Sequence, residues 1–322
     1  MSRVVGPAPS ALRVVAVLVA AILAISFGSI FARLADAPGG VVAFWRMVFA
    51  TALIAPAGLR GLRATPLTAR NAWPAGLAGV LLAVHFATWL TSLEHTTVAA
   101  SVALVSTMPI WVAALRLASG VPPTRGAAFG LVLAVGGGAA VGFGDLGAGR
   151  ASLFGNALAL VGAMAVAGYF LAGRRAQAAG LSTNAYALVA YGVASLVLLP
   201  LPALLGSSYL SWSASTWLWL VLIAVAPQLI GHGGLNWANR WVDPTLVATV
   251  ALLEPLGAGL LAFALFAEQP GALVLAGAPV MLMGVALVIH HRRRDPPPVS
   301  SEPLEPSAGT PSGRGTRSDL LG

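Results

Sequence analysis

The chain has 322 residues, of which 58% are hydrophobic and 9% are charged, and its formal net charge is +8. Apolar residues at this density exclude an ordinary soluble domain. All 18 basic residues are arginine, and the absence of lysine excludes a Walker-type phosphate loop and Schiff-base catalysis. Cysteine is also absent, which excludes thiolate catalysis and disulfides. The composition therefore predicts an all-α integral membrane protein.

Ten apolar runs follow one another along the chain, with only short linkers between them. A helix needs about 20 mostly apolar residues to cross roughly 30 Å of hydrocarbon, and each run has about that length. A glycine-rich stretch at 134–144 lies inside one run and supplies small residues that let helices approach closely. We expect ten transmembrane helices at about 14–34, 40–59, 73–93, 98–118, 126–144, 153–172, 184–205, 215–235, 245–265 and 271–291.

The two ends of the chain differ in character from these runs. Arginines precede the first apolar run, as in a secretory signal, but the run continues to about Phe31 and no small-x-small cleavage site follows it. We therefore expect residues 1–13 to be a short cytoplasmic segment before the first transmembrane helix. Residues 292–322 are rich in Pro, Ser and Gly, which predicts a disordered cytoplasmic tail.

The arginines are distributed unevenly between the two sides that ten crossings define. Only Arg33 and Arg150 border the side that carries Glu94, Asp145 and Glu268. This positive-inside pattern places both termini in the cytoplasm, and it makes the net charge a matter of topology rather than of nucleic-acid binding. The absence of lysine hints at a G+C-rich bacterial genome, so we expect the cell inner membrane. The cytoplasmic side carries arginines 3, 13, 60, 63, 70, 116, 125, 174, 175, 240, 292, 293 and 294.

Two segments that lie 148 residues apart resemble each other without a gap. Trp89 matches Trp237, and a proline follows in each copy, Pro109 in the first and Pro255 in the second. Each copy contains five apolar runs, and since five is odd, the second must enter the membrane from the opposite side. The chain is thus predicted to contain two inverted five-helix repeats, 14–144 and 153–291.

Several motifs link these repeats to a known family. They are AFWRMVFA at 43–50, HFATWLTSLEHTTVA at 85–99, SVALVSTMPIWVAAL at 101–115, and GHGGLNWANRWVDPTLVATVALLEPLGAGLLAFALFAEQPG at 231–271. Through them the sequence resembles the EamA-type ten-span members of the drug/metabolite transporter superfamily over residues 14–291.

The resemblance implies ten helices in two inverted repeats around a central cavity. It also implies transport of a small-molecule substrate, commonly the export of amino acids or related solutes, without a cofactor or enzymatic activity. Family members often carry an acidic residue after the fourth helix of each repeat. Glu268 supplies it in the second repeat, whereas LASGVPPTR at 117–125 contains none.

Arg46 lies inside the second apolar run, where a guanidinium costs about 2.5 to 3.5 kcal/mol on insertion scales. One interpretation is that it faces a cavity and binds a carboxylate or phosphate group of the substrate. The alternative is a structural contact with a backbone carbonyl or a helix end, because Arg46 is only about seven residues from the start of its run.

Glu254 lies near the middle of the ninth run, directly before Pro255. Pro255 cannot donate to the carbonyl of Ala251, and Pro109 has the same effect on Val105 in the first repeat. Paired helix breaks in two repeats indicate a substrate site near the membrane midplane, where a carboxyl group also permits proton coupling. The alternative is a kink that only improves packing.

Polar and aromatic side chains cluster in the third and eighth runs. Asn236 follows His232 by one helical turn, so both are expected to face the same way. Interhelical hydrogen bonds or an interfacial tryptophan belt are the alternatives, and no third ligand joins the two histidines for a metal site. We expect the cavity to be lined by Arg46, His85, Trp89, His232, Asn236, Trp237 and Glu254.

Two classes of function fit these features. A secondary transporter with alternating access explains the inverted repeat, the paired breaks and the sparse polar lining. A membrane-embedded enzyme that uses His232 or Glu254 as a base is the alternative, although such enzymes usually need a cluster of ionisable groups. We therefore favour the transporter.

The predicted topology can be tested directly because the chain contains no cysteine. A single cysteine placed in the 60–70 loop should react only with thiol reagents that reach the cytoplasm, since its arginines hold that loop inside. Labelling intact cells with impermeant and permeant maleimides measures this. Reaction with the impermeant reagent would place this loop outside the cell and contradict the predicted topology.

Overall fold

The computed structural model describes residues 9–96, 101, 104–143, 153–266 and 272–291. Every regular element in these ranges is helical, which confirms the predicted all-α class. The predicted tail 292–322, residues 1–8 and the segments that contain Asp145 and Glu268 lie outside the described residues.

The helices follow the apolar runs of the sequence. In the first half they are α1 (Ala11–Ser26), α2 (Gly28–Leu34), α3 (Gly39–Ala64), α4 (Ala69–His95), α5 (Met108–Ala118) and α6 (Arg125–Phe143). In the second half they are α7 (Leu153–Ala178), α8 (Thr183–Leu198), α9 (Leu201–Leu204), α10 (Ala214–Ile223), a π-helical segment (Ala224–His232), α11 (Gly233–Trp241), α12 (Pro244–Ala251), α13 (Glu254–Phe266) and α14 (Ala272–His291).

Seven helical stretches are long and apolar enough to cross a membrane, which makes this a multi-pass membrane protein. Three shorter apolar helices coincide with the remaining predicted runs, so the total of ten spans stays a prediction. The seven are Ala11–Leu34, Gly39–Ala64, Ala69–His95, Leu153–Ala178, Thr183–Leu204, Ala214–Trp241 and Pro244–Leu261; the three are Met108–Ala118, Arg125–Ala140 and Leu275–His291.

Short polar side chains mark where several helices begin. Ser182 accepts a hydrogen bond from the Ala185 amide, and Ser213 accepts one from the Thr216 amide. Each bond satisfies an amide that has no partner within the helix. Because these caps lie in short linkers, each of the two helices begins shortly after the preceding helix ends.

The two halves pack against each other in a reciprocal pattern. α1 contacts the π segment and α11, while α7, its counterpart in the second half, contacts α4. α3 packs against α8 and α6 packs against α14, and each of these is a pair of counterparts. Exchanging the halves leaves this pattern unchanged, as expected for two repeats related by a pseudo-two-fold axis.

The contact between α6 and α14 depends on glycine. A Cβ atom on Gly137 would collide with the backbone of Met281 and Gly277, and one on Gly284 would collide with the backbone of Ala134. A Cβ on Gly136 would meet nothing within 4 Å. Because lipid is as apolar as the side chains, close approach of this kind is a main source of helix association in membranes.

We expect Gly137→Ala to lower the thermal unfolding temperature of the purified protein, since the two helices must separate to admit the methyl group. Overpacking of this kind costs about 1 to 3 kcal/mol. Gly136→Ala is the matched control and should be neutral or slightly stabilising, because alanine favours the helix. Equal unfolding temperatures for the two variants would contradict the proposed packing.

Candidate functional site

A cavity lies between the two halves of the protein. The space within it that the centres of water molecules can occupy is about 70 Å³, which is room for several waters. Both halves contribute to its wall, which is formed by Ile25, Gly28, Arg46, His85, Trp89, Val105, Ser106, Met108, Val166, Phe170, Pro227, His232, Leu235, Ala251, Leu252, Glu254 and Pro255.

Most of the side chains expected from the sequence meet in this wall. Among the expected substrate contacts, Asn236 and Trp237 are absent from the described lining, and so is Pro109 among the expected helix breaks. Those that line the cavity are Arg46, His85, Trp89, His232, Glu254 and the helix-breaking Pro255.

Arg46 projects from α3 and is only 1% exposed. Its Nε donates to Oε1 of Gln228 at 2.8 Å, and its guanidinium carbon lies 4.1 Å from the centroid of the Phe86 ring. No carboxylate lies within salt-bridge distance of it in the described ranges. The positive charge is therefore held directly by a neutral acceptor and an aromatic face, and Glu254, beyond salt-bridge distance, interacts with it electrostatically.

Glu254 begins α13, directly after an interruption of the helix. α12 ends at Ala251, and a two-residue turn separates it from α13. Val105 and Ala251, whose carbonyls the two prolines were expected to free, both line the cavity. Irregular backbone at membrane depth must be covered by protein or face a wet cavity. The position of the break therefore agrees with the position of the cavity.

Two histidines and a tryptophan form one side of the wall. The imidazole of His85 lies parallel to the indole of Trp89, with 5.7 Å between ring centroids, and its Nδ1 is 2.9 Å from the Gly162 carbonyl. A carbonyl only accepts, so Nδ1 of His85 carries a proton. Nε1 of Trp89 and Nδ1 of His232 are buried without a hydrogen-bond partner in the part of the chain described. Since both atoms are buried, a hydrogen bond to a solute or to water would require these side chains to move.

Asn236 points into neighbouring helices instead, and Trp237 packs along its own helix. Nδ2 of Asn236 donates to the Tyr169 hydroxyl at 2.5 Å, and it lies 3.4 Å from the Tyr191 hydroxyl. The Trp237 ring packs against Trp241. Five residues correspond to a net rotation of about 140° along an α-helix, which turns Trp237 away from the face of His232. Asn236 keeps nearly the same direction but lies one turn further along.

Comparison with known proteins agrees with this architecture. The family model described as the EamA-like transporter family matches residues 12–143 and, a second time, residues 153–290. The chain belongs to the EamA-like transporter family. No curated protein matches it.

One solved structure that matches this EamA-like chain is described as "Crystal structure of protein". The match covers 87% of this chain and 99% of the other, with a TM-score of 0.72 and 19% sequence identity. At that identity the similarity concerns the fold alone.

Gln228 and Phe86 contact Arg46 without lining the described cavity of this EamA-like protein, and the sequence analysis did not single them out. A glutamine inside an apolar run was a usable signal, because uncompensated polar groups are costly in a membrane. Phe86 gave no signal of its own, since aromatic residues are common in such runs. Only the fold places its ring over Arg46.

The two tryptophans allow a paired test of the cavity. Trp89→Phe replaces an indole that lines the cavity with a smaller ring, and the loss of contact with a solute should raise the KM for transport about three- to tenfold. Trp237→Phe removes an N–H outside the cavity and should leave the KM unchanged. Uptake rates at matched protein levels measure both values. A larger effect at Trp237 would mean that the functional cavity lies elsewhere.

Proposed function

We propose that this protein is a secondary transporter that exports amino acids or related amphipathic solutes across the cell inner membrane. The observation that carries this proposal is a buried guanidinium without a salt bridge in a cavity between the two halves of an EamA-like transporter. The family assignment favours transport over the enzymatic alternative. Ten helices in two inverted repeats, with both termini in the cytoplasm, form the framework of the proposal.

The wall chemistry fits a solute that carries both charges and an apolar part. Arg46 can bind a carboxylate, and Glu254 can bind an ammonium group when it is ionised. The rings of Trp89 and Phe170 line the same cavity and can contact an apolar side chain. Glu254 can also exchange a proton, which would couple transport to the proton gradient.

Alternating access requires a contact between the halves that forms and breaks at one end of the cavity. Arg116, near the end of α5, lies 2.6 Å from Oδ2 of Asp243, and both side chains are largely buried, with 14% and 13% exposed. Oδ1 of Asp243 caps α12 by accepting from the Thr245 amide at 2.7 Å. This ion pair joins the two halves at the end assigned to the cytoplasm, so we propose that it opens when the cavity faces inward.

The function is tested with the purified full chain in liposomes. Radiolabelled phenylalanine should be taken up saturably without ATP, and an imposed proton gradient should change the rate if Glu254 couples protons. Glu254→Gln should reduce the rate at least about tenfold, whereas Glu268→Gln, outside the predicted spans, should stay near wild type. A requirement for ATP would refute the proposal, and equal rates in all three proteins would leave Glu254 as a packing residue.

A covalent cross-link in place of the ion pair tests whether the two halves must separate there. In an Arg116→Cys/Asp243→Cys double variant, a short bifunctional thiosulfonate reagent should stop transport, and reduction should restore it. An Arg174→Cys/Asn239→Cys variant is the control, because Arg174 donates to the Asn239 carbonyl within the second half. Transport that continues after cross-linking of 116 to 243 would show that this contact does not open.

A further inference from the structure

We infer that Gln228 positions the Arg46 guanidinium to bind the acidic group of the transported solute. The inference deepens the proposed function and rests on it. Gln228 itself is fully buried, with 0% exposure, and it lies behind the described wall of the cavity. It is therefore a positioning residue rather than a substrate contact.

The hydrogen bond selects which donors of Arg46 remain for a solute. An arginine has five N–H donors in a rigid plane, one on Nε and four on the two Nη atoms. Gln228 occupies the single Nε donor at 2.8 Å. The two Nη atoms then remain for a bidentate bond to a carboxylate from the end of the guanidinium.

Two contacts hold this group in place. Gln228 holds the guanidinium within its plane, and the Phe86 ring, 4.1 Å from the guanidinium carbon, supports its face. A glutamine oxygen accepts a hydrogen bond without carrying a charge, so this contact does not reduce the positive charge that a solute meets. A carboxylate at position 228 would satisfy the same donor but would neutralise that charge.

The π segment explains how Gln228 reaches this place. Its hydrogen bonds connect residues five apart, so Pro227 and His232 lie on the same face, and both line the cavity. In an α-helix these two positions would diverge by about 140°. With Pro227 on the cavity, the next residue, Gln228, lies to one side, where it meets Arg46. The anion site is therefore shared, with the charge and the Phe86 ring from the first half and the Gln228 acceptor from the second.

The test compares two probes that differ only at the carboxyl group, phenylalanine and phenylalaninamide. In wild-type protein the KM for phenylalanine should be well below the KM or inhibition constant for the amide. Gln228→Glu keeps the shape but pairs with Arg46, so it should raise the KM for phenylalanine at least about tenfold and leave the value for the amide nearly unchanged. Gln228→Met removes the acceptor and should change the ratio in the same direction by a few-fold.

Gln177 provides a matched control. It is also a buried glutamine, with 2% exposure, and it donates to the Asn236 carbonyl at 3.0 Å without contacting Arg46. Gln177→Glu and Gln177→Met should disturb packing to a similar degree, yet the ratio between the two probes should stay at the wild-type value. A merely structural role for Gln228 would give the same result at both positions.

The outcomes separate this inference from the proposed function. If wild-type protein moves phenylalanine but the ratio is unchanged in the Gln228 variants, the positioning role is overturned and transport stands. If wild-type protein moves neither probe, the proposed amino-acid transport fails and this inference fails with it. Should Gln228→Met not fold, as judged by gel filtration, the near-isosteric Gln228→Glu decides the matter.

Discussion

A buried positive charge organises the centre of this protein. An uncompensated guanidinium in hydrocarbon is expensive, so its surroundings must supply donors, acceptors or aromatic faces. Here the compensation comes from α4 through Phe86 and from the π segment through Gln228, and neither partner removes the charge. The cavity thus forms around a group that is stabilised by its supports but still available to an anion.

The backbone obeys the same constraint as the charge. Helical interruptions leave polar groups that cannot face lipid, and the break between α12 and α13 opens onto the cavity together with Val105 from the first half. Elsewhere, close glycine contacts such as those between α6 and α14 let helices pack together without polar contacts. Breaks collect at the centre, and regular helices surround them.

The sequence alone determined the class of the protein, the approximate position of its membrane helices and its two-part organisation. These properties follow from long apolar runs and from matched residues 148 positions apart, signals that no local packing can overturn. The sequence also predicted Arg46, His85 and Glu254 as site residues, because titratable groups inside apolar runs are rare. All three line the cavity.

Only the tertiary structure decided which faces of the helices meet. Hydropathy does not reveal a π segment, and this segment changes the rotation of the chain between Gln228 and the residues that follow His232. Asn236, one turn beyond His232, binds Tyr169, and Trp237, turned away by about 140°, packs against Trp241, although both were expected to line the cavity. The sequence determines the cost of placing a polar group in a membrane, whereas its partner depends on contacts between residues far apart in the chain.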